Sequence, residues 1–150
     1  MDLRKFAVDG VRLGDSRETA VKRWGKPVCI QRVHDDGYVI LRYRHREIYL
    51  LEDRVAQVNF GRKLTGPGGL VLTEGASELE VRGKLGEPDQ VREDWTEGLH
   101  VGKDKEFAQL LQVLRETDMQ DVRYRSGDTE LDVGYGKGRV HRFSMRVTRP

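Results

Sequence analysis

GDSRETAVKRWGKP (residues 14–27) and GASELEVRGKLGEP (residues 75–88) are two versions of one stretch, and their reading decides the fold. Aligning Gly14 with Gly75, an offset of 61 residues, brings Ser16 onto Ser77, Gly25 onto Gly86 and Pro27 onto Pro88. Both stretches read G-x-S-x8-G-x-P. At the same offset Asp36-Gly37 meets Glu97-Gly98. Five identities at one offset are hard to obtain by chance in a chain with 17 Gly and only 4 Pro. The register then jumps. Arg42-Tyr43-Arg44 matches Arg123-Tyr124-Arg125 at an offset of 81, and Arg54-Val55 matches Arg139-Val140 at 85. The second copy therefore carries an insertion between Gly98 and Val122. Self-similarity of this kind is the signature of a repeated supersecondary unit.

Each repeated position has a physical reading. Ser16 and Ser77 suit helix N-caps, whose hydroxyls accept from the open N–H groups of the first turn. Glu18 and Glu80 favour the helix N-terminus electrostatically. Ala20, Val21 and Trp24 form an apolar stripe, and Leu79, Val81 and Leu85 are expected to do the same in the second copy. Gly25 and Gly86 fit left-handed C-caps, and Pro27 and Pro88 block continuation. Beyond each helix the pattern alternates with period two. Strands are expected at 28–33, 39–44, 48–51 and 55–60, then at 90–95, 121–125, 130–135 and 140–147. Turns at Glu52-Asp53, Ser126-Gly127-Asp128 and Gly136-Lys137-Gly138 suit hairpins, and short turns imply antiparallel pairing. The fold class is α+β: two tandem repeats, each a short helix followed by a four-strand antiparallel meander. The repeats span 11–60 and 72–147, and 61–71 reads as a glycine-rich linker. An extra helix near 104–117 is expected inside the second repeat, with Phe107, Leu110, Leu111 and Leu114 on one face.

The order "G-x-S/T, short helix, G-x-P, then strands ending in an apolar–charged hairpin" resembles the SmpA/OmlA family of small outer-membrane-assembly lipoproteins. Two such units in tandem resemble the β-lactamase inhibitor protein family, in which a helical segment precedes a four-strand antiparallel sheet. The resemblance covers most of both copies and implies the fold more than any activity. The lipoproteins carry a lipid-bearing cysteine behind a signal, which is not seen here. The inhibitors carry a disulfide in each unit, whereas Cys29 has no mate.

Composition narrows the function classes. Lys and Arg (27) nearly balance Asp and Glu (25), unlike a dedicated nucleic-acid binder. A single cysteine excludes an intramolecular disulfide and suits a reducing compartment. With no apolar run at the N-terminus and none long enough to span a bilayer, a soluble cytoplasmic protein is expected. His34, His45, His100 and His141 lack the spacing of a zinc site. His34-Asp35-Asp36 reads as a hairpin turn, and Cys29, between Val28 and Ile30, as a structural thiol. The glycines of 134–138 lack Walker spacing. No catalytic residue, metal, cofactor or small-molecule substrate is expected.

Arginine placement is the more informative signal. Arg42, Arg44, Arg123, Arg125, Arg142 and Arg146 occupy alternate strand positions opposite the apolar face, beside Gln57, Asn59 and Ser144, with Tyr38 as an aromatic neighbour. One reading is a solvated sheet face with cross-strand partners such as Asp132. The other is a basic surface spanning both units and used for contact, since arginine and tyrosine are enriched at interfaces. On that basis the chain is expected to be a protein-binding inhibitor, in the manner of an immunity protein that neutralises a toxin enzyme, with an acidic surface or cleft as partner. The alternatives are a nucleic-acid-binding module and an envelope-assembly scaffold.

Overall fold

The computed structural model describes residues 1–92 and 119–148. In chain order it contains a short 3₁₀ turn (Leu3–Lys5), β1 (Ala7–Val8), α1 (Arg17–Trp24), β2 (Cys29–Val33), β3 (Tyr38–Arg42), β4 (Glu47–Leu51) and β5 (Arg54–Gly61). Then follow β6 (Lys63–Gly66), β7 (Leu70–Thr73), α2 (Glu78–Leu85), β8 (Gln90–Arg92), β9 (Met119–Ser126), β10 (Thr129–Gly136) and β11 (Arg139–Val147). The expected helix at 104–117 lies outside the described residues, as does the end of the strand expected at 90–95. No helix among the described residues is long and apolar enough to cross a membrane.

The caps form as the residue types require. Ser16 Oγ accepts from Thr19 N at 3.2 Å, and Ser77 Oγ accepts from Glu80 N at 3.1 Å. Gly25 and Gly86 close the helices at φ 82° and 85°, a region that β-carbons disfavour. Ala20, Trp24, Val81 and Leu85 are buried. Leu79 is not: it is 82% exposed. Val81 and Leu85 are one helical turn apart and share a face; Leu79 precedes Val81 by two residues and points away from it.

Two sheets form, every described pairing being antiparallel. The larger has eight strands in the order β2-β3-β4-β5-β11-β10-β9-β8, so two four-strand meanders meet at β5 and β11. The smaller has the order β1-β6-β7. It corrects the linker expectation: the glycine-rich stretch is the end of β5, a hairpin and β7. Gly61 and Gly66 are there because neighbours come too close for side chains. A Cβ on Gly61 would collide with Val8 Cγ1, and one on Gly66 would lie 2.7 Å from the Phe6 ring. The N-terminal segment, silent in the sequence reading, supplies core residues Leu3, Phe6, Val8 and Val11.

Each helix docks on its own meander through matching bonds. Gly14 N donates to Val55 O and Gly75 N to Val140 O, both at 2.8 Å. Arg17 N donates to Asp53 O at 3.0 Å, and Glu78 N to Gly138 O at 3.1 Å. Tyr43 OH donates to the C-cap carbonyl of Gly25 at 2.8 Å, and Tyr124 OH to that of Gly86 at 2.9 Å. The hairpin turns that accept from Arg17 N and Glu78 N, Glu52-Asp53 and Lys137-Gly138, both have positive φ at both positions, the backbone a tight hairpin demands.

Burial pushes the Tyr124 phenol up to about 12. Burial raises Tyr135 as well, and its hydroxyl has no hydrogen-bond partner among the described residues. The two phenols should therefore respond differently to loss of oxygen. Tyr124→Phe removes a satisfied bond and is expected to cost about 1 kcal/mol, whereas Tyr135→Phe removes a desolvated, unpartnered group and is expected to be neutral or stabilising. Urea unfolding of both variants measures the difference.

Candidate functional site

The residues singled out in the sequence separate into two surfaces. The first is the sheet face turned away from the helices. On β3, β4 and β5, Arg42 Nη1 donates to Glu47 Oε2 at 2.6 Å and Asn59 Nδ2 donates to Glu47 Oε1 at 2.9 Å. Gln57 Nε2 donates to Asn59 Oδ1 at 2.9 Å. Tyr38 packs edge-on against Tyr49, with ring centroids 6.0 Å apart. On β9, β10 and β11, Arg123 grips Asp132 with two bonds, at 2.7 and 3.1 Å, and lies 3.1 Å from Glu130. Its guanidinium is held further above its ordinary value, chiefly by the hydrogen bond to Asp132. Arg146 donates to Glu130 at 2.7 Å, Arg125 lies 3.5 Å from Glu130, and Arg142 lies 3.8 Å from Asp121. Asp121 and Arg142 meet above Gly134, where a Cβ would stand 3.0 Å from either.

The structure brings eight of the nine candidates onto the eight-strand sheet, but not as a basic surface. Arg42, Arg123, Arg125, Arg142 and Arg146 share the face with Glu47, Asp121, Glu130 and Asp132. Cross-strand register pairs them: Arg42 sits opposite Glu47, Arg146 and Arg125 opposite Glu130, and Arg123 opposite Asp132. Arg123 and Asn59 are only 5% and 8% exposed, which removes them as contact residues. Arg44 is off the sheet altogether. β3 ends at Arg42, and Tyr43 N closes a turn onto Arg46 O. Cys29 is exposed on the edge strand β2, beside Val28 and Ile30 at 80% and 49% exposure, so it is not a core thiol.

The second surface was not read from sequence. Two adjoining cavities, of about 420 and 310 Å³, lie where the two meanders meet. His45, Phe60 and Arg62 line both; Asp9, Val28, Tyr43, Arg44 and Arg46 complete one, and Glu74, His141 and Arg142 the other. Two β-bulges build this groove. From Val58 to Gly61, β5 takes one residue more than β11 takes from Met145 to Phe143. The extra residue turns Phe60 to φ 68° and leaves it 39% exposed. On β11 the irregularity between Arg142 and Val140 puts His141 outside the pairing. Bulges re-aim side chains in this way, and are enriched near functional sites. Ser144 Oγ holds the Phe60 N–H at 3.1 Å, and Arg142 lies over the ring at 5.1 Å.

The groove's cations differ in how far they are occupied. Arg46 donates to Asp9 Oδ2 at 2.7 Å and lies over the Trp24 ring at 4.0 Å, so it is built into the fold. Asp9 is further consumed by the backbone N–H groups of Arg62 and Lys63. Arg62 is 65% exposed and 3.6 Å from Glu74. Arg44, His45 and His141 are exposed. Among the described residues no three His, Cys, Asp or Glu side chains gather as a metal site.

No protein-family model and no curated protein matches the sequence. The architecture is similar to a cysteine-rich secretory protein from Staphylococcus aureus, at 12% identity and a TM-score of 0.53. That match takes in 95% of this chain and 45% of the other, so the chain spans less than half its length. A DUF4309 family protein from Bacillus subtilis aligns at 16% identity and a TM-score of 0.44, over 89% of this chain and 78% of the other. At such identity the first likeness speaks to fold alone.

The two classes of arginine make opposite predictions for stability. Arg123→Ala strips the principal partner from Asp132 and one from Glu130 at a site with little solvent, and is expected to cost about 3 kcal/mol. Arg44→Ala is expected to stay within about 0.5 kcal/mol of the parent. Chemical denaturation of the two variants compares them directly.

Proposed function

We propose that the chain is a protein-binding inhibitor of the immunity-protein kind, built from two tandem SmpA/OmlA-like units and acting without catalysis of its own. The observation that carries the reading is a broad single sheet whose polar face is immobilised by its own ion pairs. Side chains already held in one geometry lose little entropy when a partner arrives, so such a face favours tight association. Tyr38, Tyr49 and the half-exposed Arg125 and Arg146 are residue types that dominate interface energetics. The matched helix-docking bonds of the two halves support the tandem reading.

The pairing of the arginines favours a protein partner over nucleic acid on this face. An arginine in a bidentate carboxylate pair has fewer donors left for phosphate, and four carboxylates beside five arginines leave little net field. It also corrects the source of acidic preference: the sheet face is close to neutral, and any attraction for acid must come from elsewhere on the molecule. A cytoplasmic site of action belongs to the same proposal.

The test is recovery of a partner with the tagged full chain from its native cell, followed by reconstitution from purified components. The expected result is a stoichiometric complex whose affinity falls at least tenfold in Tyr38→Ala or Arg125→Ala. If reconstitution yields no complex, or one indifferent to every residue of the sheet face, this reading fails.

A further inference from the structure

We infer that the groove around Phe60 binds an extended acidic segment of the partner protein, its carboxylates meeting Arg44, Arg62 and Arg142 while an apolar side chain lies on the Phe60 ring. The inference rests on the protein-binding reading and gives the partner a chemistry.

Charge is the first support. On the sheet face Arg42, Arg123, Arg125 and Arg146 are neutralised by Glu47, Glu130 and Asp132, whereas the groove gathers Arg44, Arg46, Arg62, two histidines and Arg142, which lies 3.8 Å from Asp121, against Asp9 and Glu74. Asp9 is already spent on Arg46 and on two backbone donors. Arg44 has no partner among the described residues, and Arg62 has only the loose approach of Glu74. Arg44 and Arg62 are thus exposed guanidinium groups that a carboxylate reaches without breaking the fold. Guanidinium groups suit carboxylates because both present planar, paired hydrogen-bonding edges.

Shape is the second. The cations are distributed over two adjoining cavities, Arg44 in one, Arg142 in the other, with Phe60 and Arg62 lining both. A single small oxyanion cannot meet both ends at once; a chain with acids on either side of an apolar residue can. Phe60 is the third support. An aromatic residue at φ 68° is held against its own preference, here by the Ser144 bond and by Gly61 seated on Val8. Conformations of this sort persist where the surroundings impose them, and they cluster at ligand contacts. The ring is thereby presented rigid, half in solvent, with Arg142 alongside it.

The probe is a fluorescein-labelled peptide, Glu-Glu-Phe-Glu-Glu, titrated with the full chain and followed by anisotropy. Saturable binding is expected, weakening as salt is raised. Arg44→Glu with Arg62→Glu should weaken it at least tenfold; both residues are exposed, so folding is untouched. Phe60→Asn should also weaken it while leaving the melting temperature level or higher, because asparagine accepts a positive φ that phenylalanine resists. The inference is overturned if the peptide does not bind, if the variants bind it as the parent does, or if single-stranded DNA of equal charge displaces it at lower concentration. The same variants in the reconstituted complex separate the two proposals. A complex that keeps full affinity in Arg44→Glu/Arg62→Glu sinks the groove assignment and leaves the sheet-face reading standing. A complex lost in those variants but indifferent to Tyr38→Ala and Arg125→Ala does the reverse.

Discussion

The pairing of β5 with β11 is the constraint on which the rest of the structure depends. Each half of the chain ends its meander with one of these strands, and neither has another partner on that side. Left apart, each would expose a row of unpaired backbone groups beside an apolar face, an arrangement prone to association with other chains. Joined, they make one sheet, and the core becomes continuous from Trp24 and Ala20 of α1 to Val81 and Leu85 of α2. The seam is not regular. β5 must also turn into β6 and lay Gly61 against Val8, so its final residues cannot keep step with β11. The bulge at Phe60 absorbs that mismatch. A packing requirement of the fold thus places an exposed aromatic at the junction of the halves.

Electrostatics follow from the same sheet. On an antiparallel pair, residues directly opposite are close enough to interact, and opposite charges there add stability where like charges subtract it. With arginines on β3, β9 and β11, the intervening strand β10 supplies Glu130 and Asp132, and β4 supplies Glu47. The lattice that results satisfies buried or half-buried charges that would otherwise be costly. It also uses up the charge. Arg44 and Arg62 escape this lattice because they lie beyond the strand ends, in the β3–β4 turn and just before β6. Turn geometry, rather than the sheet, therefore decides how these two guanidinium groups are presented.

Local signals in the sequence were read well wherever one residue type had one physical use. Ser16, Ser77, Gly25 and Gly86 cap helices because few other residues do so cheaply, and the spacing between them sets helix length. Alternation places the described strand ends of the eight-strand sheet to within two residues, and the short turns give antiparallel order, whereas β1, β6 and β7 have no counterpart in that reading. What was not legible depends on pairs distant in the chain. The motif GRKLTGPGG reads as a linker from composition, but Gly61 and Gly66 answer to Val8 and Phe6, more than fifty residues away. Arg44 reads as a strand residue from alternation, since nothing local marks the end of β3. Arg123 reads as a contact residue because sequence cannot state that Asp132 and Glu130 will enclose it. The groove was invisible for the same reason: its residues come from 44–46, 60–62 and 141–142 and converge only through the seam.

The two halves also show where likeness stops. β5 carries a second bulge, between Leu50 and Tyr49 of its neighbour, and β11 carries its counterpart between Tyr135 and Gly134. The residues left out of pairing are Ala56 and His141, which stand 85 positions apart, the same offset as Arg54 and Arg139. Ala56 is buried at 8% exposure, while His141 is exposed and lines the groove. One backbone feature is thus plugged in one half and opened to solvent in the other. A feature needed for folding alone would tolerate the same small side chain in both places. At the seam the matching position instead presents an exposed, ionisable side chain beside Phe60 and Arg142, so the two halves are not equivalent there.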